Sequence, residues 1–168
     1  MDLAAFNQAD SAAAVSAATV WAAVPAWAQA VAAGRPYSRV EDAERAAIQA
    51  AQAWDADDLD AALAHHPRIG QRPVGTGAEA AASRREQAAV GDASSKLASA
   101  IAEANADYEH RFGRIFLIRA AGRTPTEILA QARRRLANDD ATETAEALEQ
   151  LRQIAVLRLR GTLAGETE

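Results

Sequence analysis

Leu97, Ile101, Ala104 and Tyr108 recur at intervals of four, three and four residues, a spacing that lines one face of an α-helix and that a strand cannot place on a single side. Windows of this kind fill most of the chain. Ala and Leu are abundant, β-branched residues are thin and aromatic residues make up only 5% of the sequence, which favours helix throughout. The expected fold is all-α, a multi-helix bundle forming a single domain over residues 1–168. A chain of 168 residues can bury a core without crosslinks or metals, and no repeat, linker or composition break divides it.

Local signals place the helices. Asp10 caps a helix through about Ala23, Pro25 opens one that ends at Gly34, and Ser38 with Glu41 forms a capping-box pattern ahead of a helix to about Ala53. A short helix from about Asp57 reaches His65 and His66. After a glycine-rich loop, one helix is expected from about Ser83 to Ala89, and Asp92 begins a longer one ending near Gly113. "RIFLIRAAG", Arg114 to Gly122, is strand-like but has no second such run to pair with, so it reads as a buried extended segment or a helix start. Thr124, Pro125 and Glu127 start a helix to about Ala137, and the last helix spans about Thr142 to Leu163.

Composition removes several kinds of chemistry. The chain has no cysteine, so disulfides, thiolate metal sites and cysteine nucleophiles are out. Its net charge of -5, with acidic residues spread among the arginines, gives no basic field for nucleic acid. Lys96 is the only lysine and sits in a polar "SSKLAS" stretch, a poor setting for Schiff-base chemistry. The N-terminus lacks a basic region followed by an apolar run, and no stretch is long enough to span a bilayer, so a soluble cytoplasmic protein is expected.

His66 precedes Pro67, whose ring disfavours α conformation in the residue before it, so the helix should end at about His66. Unpaired carbonyls at a helix C-terminus favour an imidazolium, which suits either a cap or a proton donor. "SRREQ", Ser83 to Gln87, has capping-box spacing, and the same first turn could hold a carboxylate on free N–H groups. Asn105, Tyr108 and Phe112 read as one packed face with His110 in solvent, and the spacing of His65, His66 and His110 does not suit a metal. Arg158 continues the face of Leu148, Leu151 and Ala155, either snorkelling over the core or held toward an anion, while Arg160 points elsewhere.

Taken in order, "HHPRIG", "SRREQ", "NADYEHRFGRIFLIRAAG" and "ANDDATETAEALEQLRQIAVLRLRGTL" resemble the 2-oxo-4-hydroxy-4-carboxy-5-ureidoimidazoline (OHCU) decarboxylase family of urate degradation. The similarity runs from the N-terminal helices to about Leu163. Its most specific part is the ordered set His-Pro-x-x-Gly, Ser-x-x-Glu-Gln and Asn-x-x-Tyr-x-x-Arg-Phe-Gly. The resemblance implies an all-α homodimer that uses no cofactor and produces (S)-allantoin. It implies that His66 and Glu86 are catalytic, that Pro67 orients His66, and that Ser83, Arg84, Arg85, Glu86 and Gln87 form a substrate-binding turn. The backbone from Ile118 through Arg119, Ala120 and Ala121 to Gly122 would contact the heterocycle, and Arg158 would lie near the substrate. Arg114 and Arg119 depart from the family, which often has an apolar and a small residue there. Two other readings stay open at this point: a non-catalytic helical interaction module, and a decarboxylase of a related ureido or imidazoline compound.

Overall fold

In a computed structural model, which describes residues 1–64, 66–70, 77–78, 81–82, 84 and 95–165, most helices begin where a side-chain oxygen can accept free backbone N–H groups. Asp2 accepts from Ala5 N–H at 2.8 Å to start α1 (Leu3–Gln8), a helix the sequence reading omits. Asp10 does the same for Ala13 at the head of α2 (Ser11–Trp21), and Pro25 opens α3 (Pro25–Ala33), which stops at Gly34, both as expected. α4 (Val40–Ala50) starts one residue later than the Ser38–Glu41 pattern suggests. Only half of a box forms, one residue on: Arg39 N–H donates to the Asp42 carboxylate at 3.0 Å, and an arginine side chain offers no acceptor in return. A 3₁₀ turn, Ala51–Ala53, follows, and Asp55 then accepts from Asp57 and Asp58 N–H to start α5 (Ala56–Leu63).

α5 ends at Leu63, short of the expected His66. His66 N–H donates to Leu63 C=O at 3.0 Å in a tightened turn, and Pro67 bars any continuation. Helical backbone is present at Ala78, Ala81 and Ala82, and Ala81 N–H donates to Gly77 C=O, so helix precedes the start expected at Ser83. Ser83 itself, and the start expected at Asp92, lie outside the described residues.

α6 (Ser95–Phe112) ends at Gly113, whose φ of +69° is the left-handed conformation glycine tolerates. Residues 115–120 are then neither helix nor strand, and Phe116, Leu117, Ile118 and Ala120 are buried, as the unpaired apolar run implies. Thr124 and Glu127 cap α7 (Pro125–Arg135) reciprocally, and Asp139 accepts from Thr142 N–H in the first turn of α8 (Asp140–Leu163). Among the described residues there is no strand, so the class is all-α as expected, and no described helix is long and apolar enough to cross a membrane.

Contacts divide the chain into two compact units. The first comprises Met1–Ala62 and Arg152–Glu168. There α2 packs on α3 and α3 on α4, with buried Ala14, Ala18, Ala28, Ala43 and Ala47 allowing close approach and Trp21, Trp27 and Trp54 filling the volume. The indole N–H groups of Trp21 and Trp27 donate to Thr162 Oγ1 and Ala47 C=O. The second unit, Leu63–Leu151, packs α6 on α7 around Ile69, Ile101, Tyr108, Phe116, Ile118 and Ile128. α8 contributes residues to both units, with the division after Leu151.

Candidate active site

In the second unit, the stretch after α5 carries His66. The residue is half-buried and its Nε2 is sealed from solvent. α6 holds the residues that follow it. Asn105, 7% exposed, donates its amide to Ile69 C=O at 2.9 Å, and Arg68 forms a two-point ion pair with Glu109, its Nη2 2.8 Å from Oε2. That pairing favours the charged form and raises the Arg68 pKa. Beside this stretch lies a cavity of about 220 Å³, lined in part by Ile69, Gly70, Ile101, Asn105 and Glu109.

The second element is the run from Phe116 to Gly122. Ile118 and Ala120 share a core cluster with Ile69, so this run and the stretch after His66 rest on the same packing. Arg135, 1% exposed, donates Nη1 to Leu117 C=O at 2.7 Å and holds its Nε 2.9 and 3.2 Å from the Glu143 carboxylate. The Arg135 guanidinium lies over the Phe116 ring, 4.8 Å from its centroid. Tyr108 OH donates to Glu143, and Asn138 donates to its second oxygen at 2.9 Å, so the buried carboxylate is fully engaged. Burial, and then the bond to Glu143, pushes the Tyr108 phenol well above its ordinary 10.0, keeping it a donor.

Arg119, one of the two departures from the family pattern, folds back onto its own turn and donates to Ala121 C=O at 3.2 Å. Arg114, the other, reaches Thr144 Oγ1 at 3.3 Å. Gly122 closes the turn with φ +78°.

Residues 7–160 match the OHCU decarboxylase family. The chain belongs to this family. It is 33% identical over 140 residues to the 2-oxo-4-hydroxy-4-carboxy-5-ureidoimidazoline decarboxylase of Amia calva, covering 81% of this chain and 79% of that protein. It is 27% identical over 132 residues to the protein of the same name from Haloferax volcanii, covering 79% and 77%. A crystal structure of OHCU decarboxylase in the presence of (S)-allantoin shares the fold, with a TM-score of 0.74 at 24% identity over 87% of this chain and 96% of that one.

The residues matching the family's motifs fall into three groups. His66, half-buried Pro67, and Ile118, Arg119, Ala120, Ala121 and Gly122 all belong to the second unit. Of the turn from Ser83 to Gln87, only Arg84 is described, exposed and helical; Ser83, Arg85, Glu86 and Gln87, like His65, lie outside the described residues. Arg158 belongs to the first unit, buried to 6% on the same face as Leu148, Leu151 and Ala155, and its Nη1 donates to Val20 C=O at 3.2 Å. It does not snorkel. Arg160, by contrast, is exposed and pairs with Glu44.

His110 is exposed, and among the described residues no three His, Asp or Glu side chains gather in a way that could hold a metal ion. The sequence reading missed Arg135 and Glu143. A signal for Arg135 exists: it lies seven and three residues beyond the buried Ile128 and Ala132 on α7, on their face, whereas Arg133 and Arg134 are exposed.

Proposed function

We propose that this chain decarboxylates OHCU to (S)-allantoin in urate degradation, without a cofactor, as a single domain of a cytoplasmic homodimer. The observation that carries the reading is the family match over residues 7–160, which spans the three motifs that begin at His66, Ser83 and Asn105. The fold shared with an OHCU decarboxylase crystallised in the presence of (S)-allantoin, and the core cluster that Ile69, three residues after His66, shares with Ile118 and Ala120, support it.

The chemistry asks little of the protein. The substrate's carboxylate sits on a carbon next to a C=N bond, and the electron pair released with CO2 moves into that bond. Orientation, polarisation and a proton are what remain to be supplied. On this reading, Pro67 orients His66, and His66 delivers the proton to one face of the ring, which fixes the configuration of the product. Glu86 accepts a hydrogen bond from the substrate hydroxyl. Ser83, Arg84, Arg85 and Gln87 hold the substrate from their turn, the backbone of Ile118–Gly122 meets the heterocycle, and Arg158 supplies a guanidinium to an anionic or ureido group.

OHCU generated in situ tests this directly. CO2 release and allantoin formation should run well above the spontaneous rate, in a chelated sample as in an untreated one. A rate equal to spontaneous decay at high protein concentration would overturn the reading, and selective turnover of another ureido or imidazoline acid would redirect it.

A further inference from the structure

Residues 115–120 have no strand partner among the described residues, so no ladder sets the register of this run, and side chains have to supply what a neighbouring strand normally would. Two of them do so from neighbouring helices. Arg135 of α7 donates to Leu117 C=O at 2.7 Å, and Gln150 of α8 accepts the Arg119 N–H on its Oε1 at 3.0 Å. We infer that Gln150 is a positioning residue for decarboxylation: with Arg135 it fixes the register and facing of the backbone that meets the heterocycle. The inference rests on the functional reading above.

Backbone groups two residues apart face the same way in an extended chain, and the two groups held here belong to residues 117 and 119. Ile118 lies between them. It is 6% exposed, and among the described residues nothing hydrogen-bonds its N–H or C=O, which leaves one donor and one acceptor for a ring carrying both kinds of group. Downstream, the turn is tied to itself. Arg123 donates Nε to Arg119 C=O at 3.1 Å and its N–H to Ala120 C=O at 3.0 Å, and Arg119 donates to Ala121 C=O. Gln150 and Arg135 therefore decide where this self-contained turn sits.

The two anchors differ in what their loss would do. Arg135 is buried against Glu143, so its removal threatens the fold. Gln150 is half-exposed and its oxygen has one partner to hold, so it can be changed with the fold intact. Gln150→Glu keeps an acceptor oxygen at the same reach; Gln150→Leu keeps the bulk and loses the acceptor.

The test compares wild type, Gln150→Glu and Gln150→Leu for KM and kcat on OHCU, for the chirality of the allantoin formed, and for hydrogen exchange at the Arg119 amide. Gln150→Leu should raise KM about tenfold, the loss of about 1.4 kcal/mol of binding, and lower the (S) excess, with kcat less affected and the melting temperature unchanged. Arg119 N–H should exchange slowly in wild type and fast in Gln150→Leu. Gln150→Glu should restore all three properties. A Gln150→Leu variant with wild-type KM and chirality and a freely exchanging Arg119 amide would overturn the inference, as would a freely exchanging amide in wild type. If wild type fails to act on OHCU while the amide is protected as expected, the functional reading is what fails, and the positioning role falls with it.

Discussion

The stretch after α5, residues 66–70, and the stretch after α6, residues 115–120, both follow a helix and both receive a side-chain donor on a backbone carbonyl. The first is held by the neutral amide of Asn105, with an ion pair at the surface between Arg68 and Glu109. The second is held by a charged guanidinium whose partner carboxylate is itself buried among Tyr108 and Asn138. Water screens the surface pair, and no water screens the buried one. The tie described for the segment carrying His66 is thus a neutral amide beside a screened surface pair, whereas the segment assigned to the heterocycle is held by a guanidinium that cannot be lost without stranding a buried charge.

The sharpest way to break that contrast is Arg135→Met. Glu143 would then be a buried charge without its partner, and unfolding free energy should drop by about 3–5 kcal/mol in urea titration. Adding Glu143→Leu to the same chain should recover much of the loss, because the uncompensated charge goes too. A single variant as stable as wild type would show that the pair does not hold the segment.

Asn105→Ala should cost less, about 1–3 kcal/mol, for a buried carbonyl left without its donor. It should lower turnover as well, since the residues after His66 lose their tie to α6. Full activity with lowered stability would confine Asn105 to packing. At the small end, Arg68→Gln should leave the melting temperature unchanged within error at physiological salt. A clear loss there would mean that the surface pair does more for the first segment than its exposure allows.

Much of this arrangement is legible locally, and the part that is not depends on distant residues meeting. The helix starts at Asp10, Pro25 and Thr124 can be read because a cap needs only the next three residues, and the end at Gly113 because left-handed backbone favours glycine. The same logic slips by one residue at Arg39, whose N–H is taken by Asp42 rather than Glu41, and it overlooks α1, although Asp2 caps it. His66, Pro67 and the Ile118–Gly122 run stand out through ordered motifs. Gln150 does not, because nothing in "ALEQLRQ" tells which glutamine meets a backbone amide 31 residues away. Arg135 could have been found from the apolar period of α7, but Glu143, its partner, is one of three glutamates in "ETAEALE" and is singled out only by the fold.

On the functional reading above, His66 delivers a proton to one face of the decarboxylated ring. The most direct test is the enantiomeric composition of allantoin formed from OHCU by wild type, His66→Asn and His65→Asn, each confirmed as folded by circular dichroism. Wild type should give (S)-allantoin, and His65→Asn should stay close to it. His66→Asn should lose about 10²–10⁴-fold in rate and leave the racemate of spontaneous decay. A folded His66→Asn variant that still makes (S)-allantoin at the wild-type rate would contradict the claim and reduce His66 to the residue that ends a helix turn.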